Sequence, residues 1–136
     1  MEFITVEQFK EQPVEVQKVF LNWWKCETFN IYAWCWNLKD NKWSIESCCN
    51  QIQADTINKG KTIGDIIPLF TEGQLRKFIE DNTRYKIESI LYRNGYDIYL
   101  CEDDGCYIKE YESVDKDLFQ AYWKVACMIA EEEVDG

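Results

Sequence analysis

Tyr85-Lys86-Ile87-Glu88-Ser89-Ile90-Leu91-Tyr92-Arg93-Asn94-Gly95-Tyr96-Asp97-Ile98-Tyr99-Leu100-Cys101 is the stretch that decides the fold class. Runs rich in β-branched and aromatic residues flank Asn94-Gly95, a pair that favours the positive φ angles of a tight type I′ turn. Residues 85–93 and 96–101 therefore read as a hairpin. Asp104-Gly105 repeats the device before residues 106–112, which predicts a three-stranded antiparallel meander. Earlier in the chain, residues 30–38 alternate and are dense in aromatics, and residues 42–49 read as their partner strand across Asp40-Asn41.

Helices are expected around these strands. Thr5 with Gln8, and again Thr71 with Gln74, carry the spacing of a capping box, so one short helix starts after Thr5 and another after Thr71. The first should stop before Pro13 and the second near Asn82, with Leu75, Phe78 and Ile79 inward. Pro13 suits the first turn of a further helix through about residue 25, whose Val16, Val19, Phe20, Trp23 and Trp24 form one stripe. A closing helix spans about 115–132, with Leu118, Tyr122, Val125 and Ile129 aligned and Phe119, Trp123 and Ala126 beside them. Between the hairpin and Thr71, Asn58-Lys59-Gly60 reads as a turn with a short strand on either side. The expectation is an α+β fold over residues 1–136 as a single compact domain. It has N-terminal helices, antiparallel hairpins and a meander, a middle helix, and a C-terminal helix packed on the sheet.

Charge separates the chain's two ends. Residues 1–96 hold 13 Asp/Glu against 12 Lys/Arg, whereas residues 97–136 hold 12 against Lys109, Lys116 and Lys124. A net of −9 over those last residues repels nucleic acid and anionic membrane, and attracts basic protein surfaces. With 46% hydrophobic residues and 15% aromatics, the acidity rides on a folded body. No run approaches the ~18 apolar residues of a membrane span, and the start carries no secretory pattern, so a cytoplasmic protein is expected. Seven Cys is an odd number: Cys26, Cys35, Cys48, Cys49, Cys101, Cys106 and Cys127 read as free thiols of a reducing compartment. The chain has no His, and its Cys spacing departs from zinc knuckles, so no metal or other cofactor is expected.

Three groups of residues are candidates for function. The acidic one comprises Glu102, Asp103 and Asp104 in the second hairpin turn, Glu110 and Glu112 on the outgoing strand, Asp115 and Asp117 at the last helix's start, and Glu131, Glu132 and Glu133 near its end. It is either a solvated face or a partner-binding surface in which carboxylates substitute for phosphates. The dipole of a helix suits Asp115 and Asp117 at its start but disfavours three glutamates at its end. Glu102-Asp103-Asp104 lacks the EF-hand pattern for calcium. The second group is Tyr32, Trp34 and Trp36, which alternate onto one strand face. They could stack on bases, anchor an interface, or pack as core against the Trp23/Trp24 helix. The third, Lys59, Lys61, Arg76, Lys77, Arg84, Lys86 and Arg93, is diluted by carboxylates to a net of only +2. No phosphate loop, nucleophile elbow or metalloprotease motif is present, so no catalytic residue is assigned and an enzyme is not expected.

Ile67-Pro68-Leu69-Phe70-Thr71-Glu72-Gly73-Gln74-Leu75-Arg76-Lys77-Phe78-Ile79-Glu80-Asp81 resembles a block in small uncharacterised proteins of phages and prophages of clostridia and related Firmicutes. Leu118-Phe119-Gln120-Ala121-Tyr122-Trp123-Lys124-Val125-Ala126 is similar to that group's closing helix. Together the two cover under a third of the chain, and the group lends no functional residues. What the resemblance implies is context: an accessory protein made in the host cytoplasm during infection. Joined to the acidic sector, it leads to the expectation of a non-enzymatic, anti-CRISPR-like inhibitor. Its partner would be a host defence protein whose basic surface handles nucleic acid, with no direct contact to nucleic acid or membrane. The alternatives are a sponge for an immune nucleotide messenger, built on Tyr32, Trp34 and Trp36, or a structural or regulatory phage protein.

Overall fold

A computed structural model describes residues 2–61 and 64–135. Contacts gather into two compact units, Phe3–Phe70 and Thr71–Gly136, each described by itself. The chain is α+β, with helices and antiparallel three-stranded sheets.

In the first unit, α1 (Val6–Lys10) opens on the expected box: the Gln8 N–H donates to Thr5 Oγ1 at 3.1 Å and the Thr5 N–H to Gln8 Oε1 at 3.0 Å. Pro13 precedes α2 (Val14–Trp23), which ends slightly short of residue 25 because Trp24 turns extended. Val16, Phe20, Leu21 and Trp24 are buried, and the Phe20 ring packs 6.2 Å from Phe9 and 5.6 Å from Phe70. The hairpin is as expected: β1 (Ile31–Asn37) pairs antiparallel with β2 (Lys42–Ser47), and Asn41 takes the left-handed turn position at φ 53°. A third strand, β3 (Ile66–Pro68), flanks β1, giving the order β2-β1-β3. Ala33 on β1 stands opposite Ile67 on β3, and both are buried.

The expectation for 50–66 is corrected. Instead of a turn at 58–60 between strands, the chain forms α3 (Gln51–Gly60). Asn50 caps it by accepting the Gln53 N–H at 2.9 Å, and Ala54 and Ile57, three apart, are its buried residues. Asn58 does not turn a hairpin. Its amide reaches back to Cys26, accepting that residue's N–H at 2.7 Å and donating to its carbonyl at 3.0 Å. Asn-Lys-Gly here ends a helix. The part of that expectation over residues 62–63 lies outside the described residues.

The second unit begins with α4 (Glu72–Thr83), boxed by Thr71 and Gln74 as expected and burying Leu75, Phe78 and Ile79. Arg84, left-handed at φ 66°, ends it. The meander follows: β4 (Lys86–Tyr92), β5 (Gly95–Cys101) and β6 (Tyr107–Asp115), ordered β4-β5-β6. The first turn differs from the type I′ expectation. Tyr92 pairs with Gly95, so Arg93-Asn94 is the loop, and Asn94 is not left-handed. Gly95 is needed for another reason: at φ 141°, a Cβ there would lie 2.9 Å from the Asp115 carbonyl oxygen.

β6 carries a bulge. Tyr96 pairs with Asp115 and Ile98 with Tyr111, so residues 112–114 all face Asp97. Ser113 is left-handed at φ 47°, and its N–H, lost to the ladder, donates to Asp97 Oδ1 at 2.8 Å. Finally α5 (Leu118–Asp135) buries Phe119, Ala121, Tyr122, Trp123, Val125, Ala126, Cys127, Ile129 and Ala130. Each large side chain among these adds ~1.5–3 kcal/mol of burial. The helix starts later and ends later than the expected 115–132, and Leu118 is only half-buried.

Candidate functional site

The acidic turn is built by its glycine. The Gly105 N–H donates to the Glu102 carbonyl at 2.9 Å, and the Glu102 N–H to the Cys106 carbonyl at 2.9 Å. With Gly105 at φ 88°, this is a three-residue loop closed by a bulge. Asp104 Oδ1 accepts the Cys106 N–H at 2.9 Å, and that bond holds its carboxyl below the ordinary range. Asp104 is thus tied to the turn, while Glu102 and Asp103 project into solvent. Lys86 sits 3.6 Å from Asp103, both highly exposed, so the pair contributes little. Arg84, Tyr85, Glu102, Asp103 and Asp104 line an open cleft of about 390 Å³.

Asp115 and Asp117 have local duties. Asp115 ends β6 and does not begin the helix, which corrects its expected position. It accepts the Asp117 N–H at 2.8 Å and pairs with Lys124 at 2.8 Å; Lys124 first, then the N–H, holds its carboxyl low. Asp117 caps α5 by accepting the Gln120 N–H at 3.1 Å. Glu110 and Glu112 are exposed on β6, where Glu110 stands opposite Tyr99.

Two contacts fix how α5 runs. Lys124, early in the helix, reaches Asp115 and the Val114 carbonyl late in β6; Glu132, late in the helix, takes Lys109 early in β6 at 2.9 Å. The helix therefore returns antiparallel along β6. Its Glu131–Glu133 run arrives at the end of the unit where the Glu102–Asp104 turn lies. Sequence separates these runs widely, and topology joins them. The Glu132 carboxylate raises the pKa of Lys109, whereas Glu131 and Glu133 have no ion pair among the described residues.

The aromatic strand divides. Tyr32 is buried, donating its hydroxyl to Glu46 at 3.2 Å and accepting from Gln53 on α3 at 2.7 Å; burial pushes its pKa up. Trp34 and Trp36 are 38% and 56% exposed. Trp34 lies on the face opposite Ala33 and Trp36 falls at a bulge of β1, and with both exposed the reading of all three rings as core beneath the Trp23/Trp24 helix does not hold. Trp23 instead packs on Phe70, and Trp24 is covered by Lys61, whose ammonium bonds the Trp24 carbonyl and lies 5.7 Å from the ring centroid. Several basic residues of the second unit have partners of their own. Arg76 lies over Tyr122, Lys77 pairs with Asp81 and Lys86 with Asp103.

Sequence reading missed a cluster of tyrosines and carboxylates on the second sheet. Tyr99 and Tyr107 stack at 4.4 Å with 20° between planes. Tyr107 donates to Glu88 at 2.8 Å and Tyr99 to Asp97 at 3.2 Å. The Tyr92 hydroxyl, burial and Glu110 push the Tyr99 hydroxyl's pKa up. The signal was present as period-2 alternation of Glu88 with Tyr92 and Asp97 with Tyr99. Among the described residues no group of Cys, Asp and Glu is arranged to hold a metal. Comparison with protein families, with curated protein sequences and with solved structures finds no match to this chain.

Proposed function

We propose that this chain is a non-enzymatic binding protein whose acidic end occupies a basic nucleic-acid channel of a host defence protein, in the manner of an anti-CRISPR. What carries the reading is the convergence of two carboxylate runs, Glu102–Asp104 and Glu131–Glu133, at one end of the second unit. Among the described residues, Glu102, Glu131 and Glu133 have no ion pair, and Asp103 has only a loose one. Unpaired carboxylates on a folded surface lose little on meeting Lys and Arg arranged for phosphates. The resemblance to phage proteins supplies the setting.

The test uses a variant chosen for structural silence: Glu102→Lys, Asp103→Lys, Glu131→Lys and Glu133→Lys together. It leaves Asp104 in its turn and Glu132 on Lys109. The wild-type chain, immobilised, should retain a nucleic-acid-binding protein from host extract and release it to rising salt or to added nucleic acid. The variant should melt like the wild type and retain nothing. Binding indifferent to salt, or unchanged in the variant, overturns the proposal.

One observation favours a second reading, the nucleotide sponge. Trp34 and Trp36 are both exposed and lie two residues apart on β1, and two rings suffice to stack a nucleobase, at ~1–3 kcal/mol per base. Quenching of Trp fluorescence by cyclic or ADP-ribose-derived nucleotides supports it, and loss of the quench in Trp34→Ala locates it. A flat response across such a panel removes this reading.

A further inference from the structure

We infer that the outer edge of β2 is a homodimerisation edge, pairing antiparallel with β2 of a second copy about a two-fold axis at Ser44. The backbone is set for it. On β1 the Cys35 N–H and the Ile31 carbonyl point to β3, bonding Asp65 and Leu69 at 2.9 and 3.0 Å. Tyr32 and Trp34 therefore bond toward β2, through Glu46 and Ser44. It follows that Trp43 and Ile45 aim their N–H and C=O groups outward from an edge strand. The other edge, β3, is three residues long and contains Pro68, which has no N–H to offer. β2 has neither safeguard, and Ile45 is 57% exposed on it.

The side chains choose the occupant. With Ser44 facing its own copy, Trp43 meets the partner's Ile45 and the two exchange N–H and C=O. Lys42 then meets the partner's Glu46, and Glu46 meets the partner's Lys42. Every pair is duplicated by symmetry, and each falls on one face of a continuous six-stranded sheet. The sequence Lys42-Trp43-Ser44-Ile45-Glu46 is thus complementary to itself read backwards. Lys42 has no ion pair among the described residues. Overall charge does not forbid the contact, because residues 1–70 hold nine Asp/Glu against seven Lys/Arg and most of the acidity lies beyond them. The inference is independent of the function proposed above.

Sedimentation of the full chain across concentrations up to about 100 μM reads the dimer, a range suited to a small interface. The wild type should associate. Lys42→Glu and Glu46→Lys should each remain monomeric, since like charges then face each other. Mixed in equal amounts, the two variants should associate again, because the two carboxylates of the first then meet the two ammonium groups of the second. This recovery cannot arise from lost folding, although Glu46→Lys alone removes the Tyr32 acceptor. A monomeric wild type, single variants that dimerise as it does, or a mixture that stays monomeric would overturn the inference.

Discussion

Removing the Asp97 carboxylate should unlatch the bulge of β6. Asp97 is 8% exposed on the central strand of the second sheet, and it serves as acceptor to two groups. The Ser113 N–H donates at 2.8 Å and the Tyr99 hydroxyl at 3.2 Å. In Asp97→Ala both donors lose their acceptor, one of them a backbone N–H that the ladder cannot take back. A hydrogen bond to a charged acceptor is worth ~1.5–3 kcal/mol and the longer one to the hydroxyl about 1 kcal/mol, so a loss of about 2–4 kcal/mol is expected. Asp97→Asn should lose only about 1 kcal/mol, because its amide oxygen still accepts from Ser113. Urea denaturation followed by far-ultraviolet dichroism reads this as a midpoint lowered by about 1 M or more for the alanine variant. If alanine costs under about 0.5 kcal/mol, or asparagine costs as much as alanine, the carboxylate does not hold the bulge.

Gly95→Ala should cost more than about 2 kcal/mol, since the added carbon meets the Asp115 carbonyl at 2.9 Å in a backbone region closed to alanine; an unchanged melting temperature would contradict this. Alkylation of the native protein at about pH 8 should label Cys49, Cys106 and half-buried Cys35, while burial, which pushes Cys26 up to about 12 and Cys101 and Cys127 upward too, protects the rest until denaturant is added. More than three adducts on the folded chain by mass spectrometry would refute that. Asp115, held low by Lys124, contributes stability that is complete above the ordinary carboxylate value of ~3.9 and lost as pH falls through its lowered one. Asp115→Asn should therefore be less stable at neutral pH and show a shallower acid limb, and superimposable acid limbs would rule this out.

Signals that act over a few residues were legible in the chain. Thr5 with Gln8 and Thr71 with Gln74 start helices where the spacing says, and the alternation of 30–38 and 85–101 forms strands. Failures came where a residue serves two purposes. Asn58 and Gly60 have turn chemistry, yet Asn58 is used as a bracket for Cys26 and Gly60 ends α3. With only Ala54 and Ile57 buried, that helix has too thin a stripe to outvote a turn signal. Gly95 looked like a turn residue and is a contact residue. As to the site, exposure of Glu102 and Asp103 was readable from the turn. The placing of Glu131–Glu133 at the same end of the unit as that turn was not, because it depends on which way α5 returns.

The carboxylates of the second unit fall into two populations with different freedom to change. Asp97, Asp115 and Asp117 are wired to main-chain N–H groups at a bulge and at the start of a helix. The carboxylates of Glu102, Glu112, Glu131 and Glu133 have no ion pair among the described residues. Substitution in the first set breaks main-chain bonds, so that set must stay fixed, while the second can wander. Negative charge can then move from one position to its neighbour without disturbing the frame. Descendants of this chain should keep those three aspartates, conserve the amount of charge at the acidic end, and disagree about where it sits.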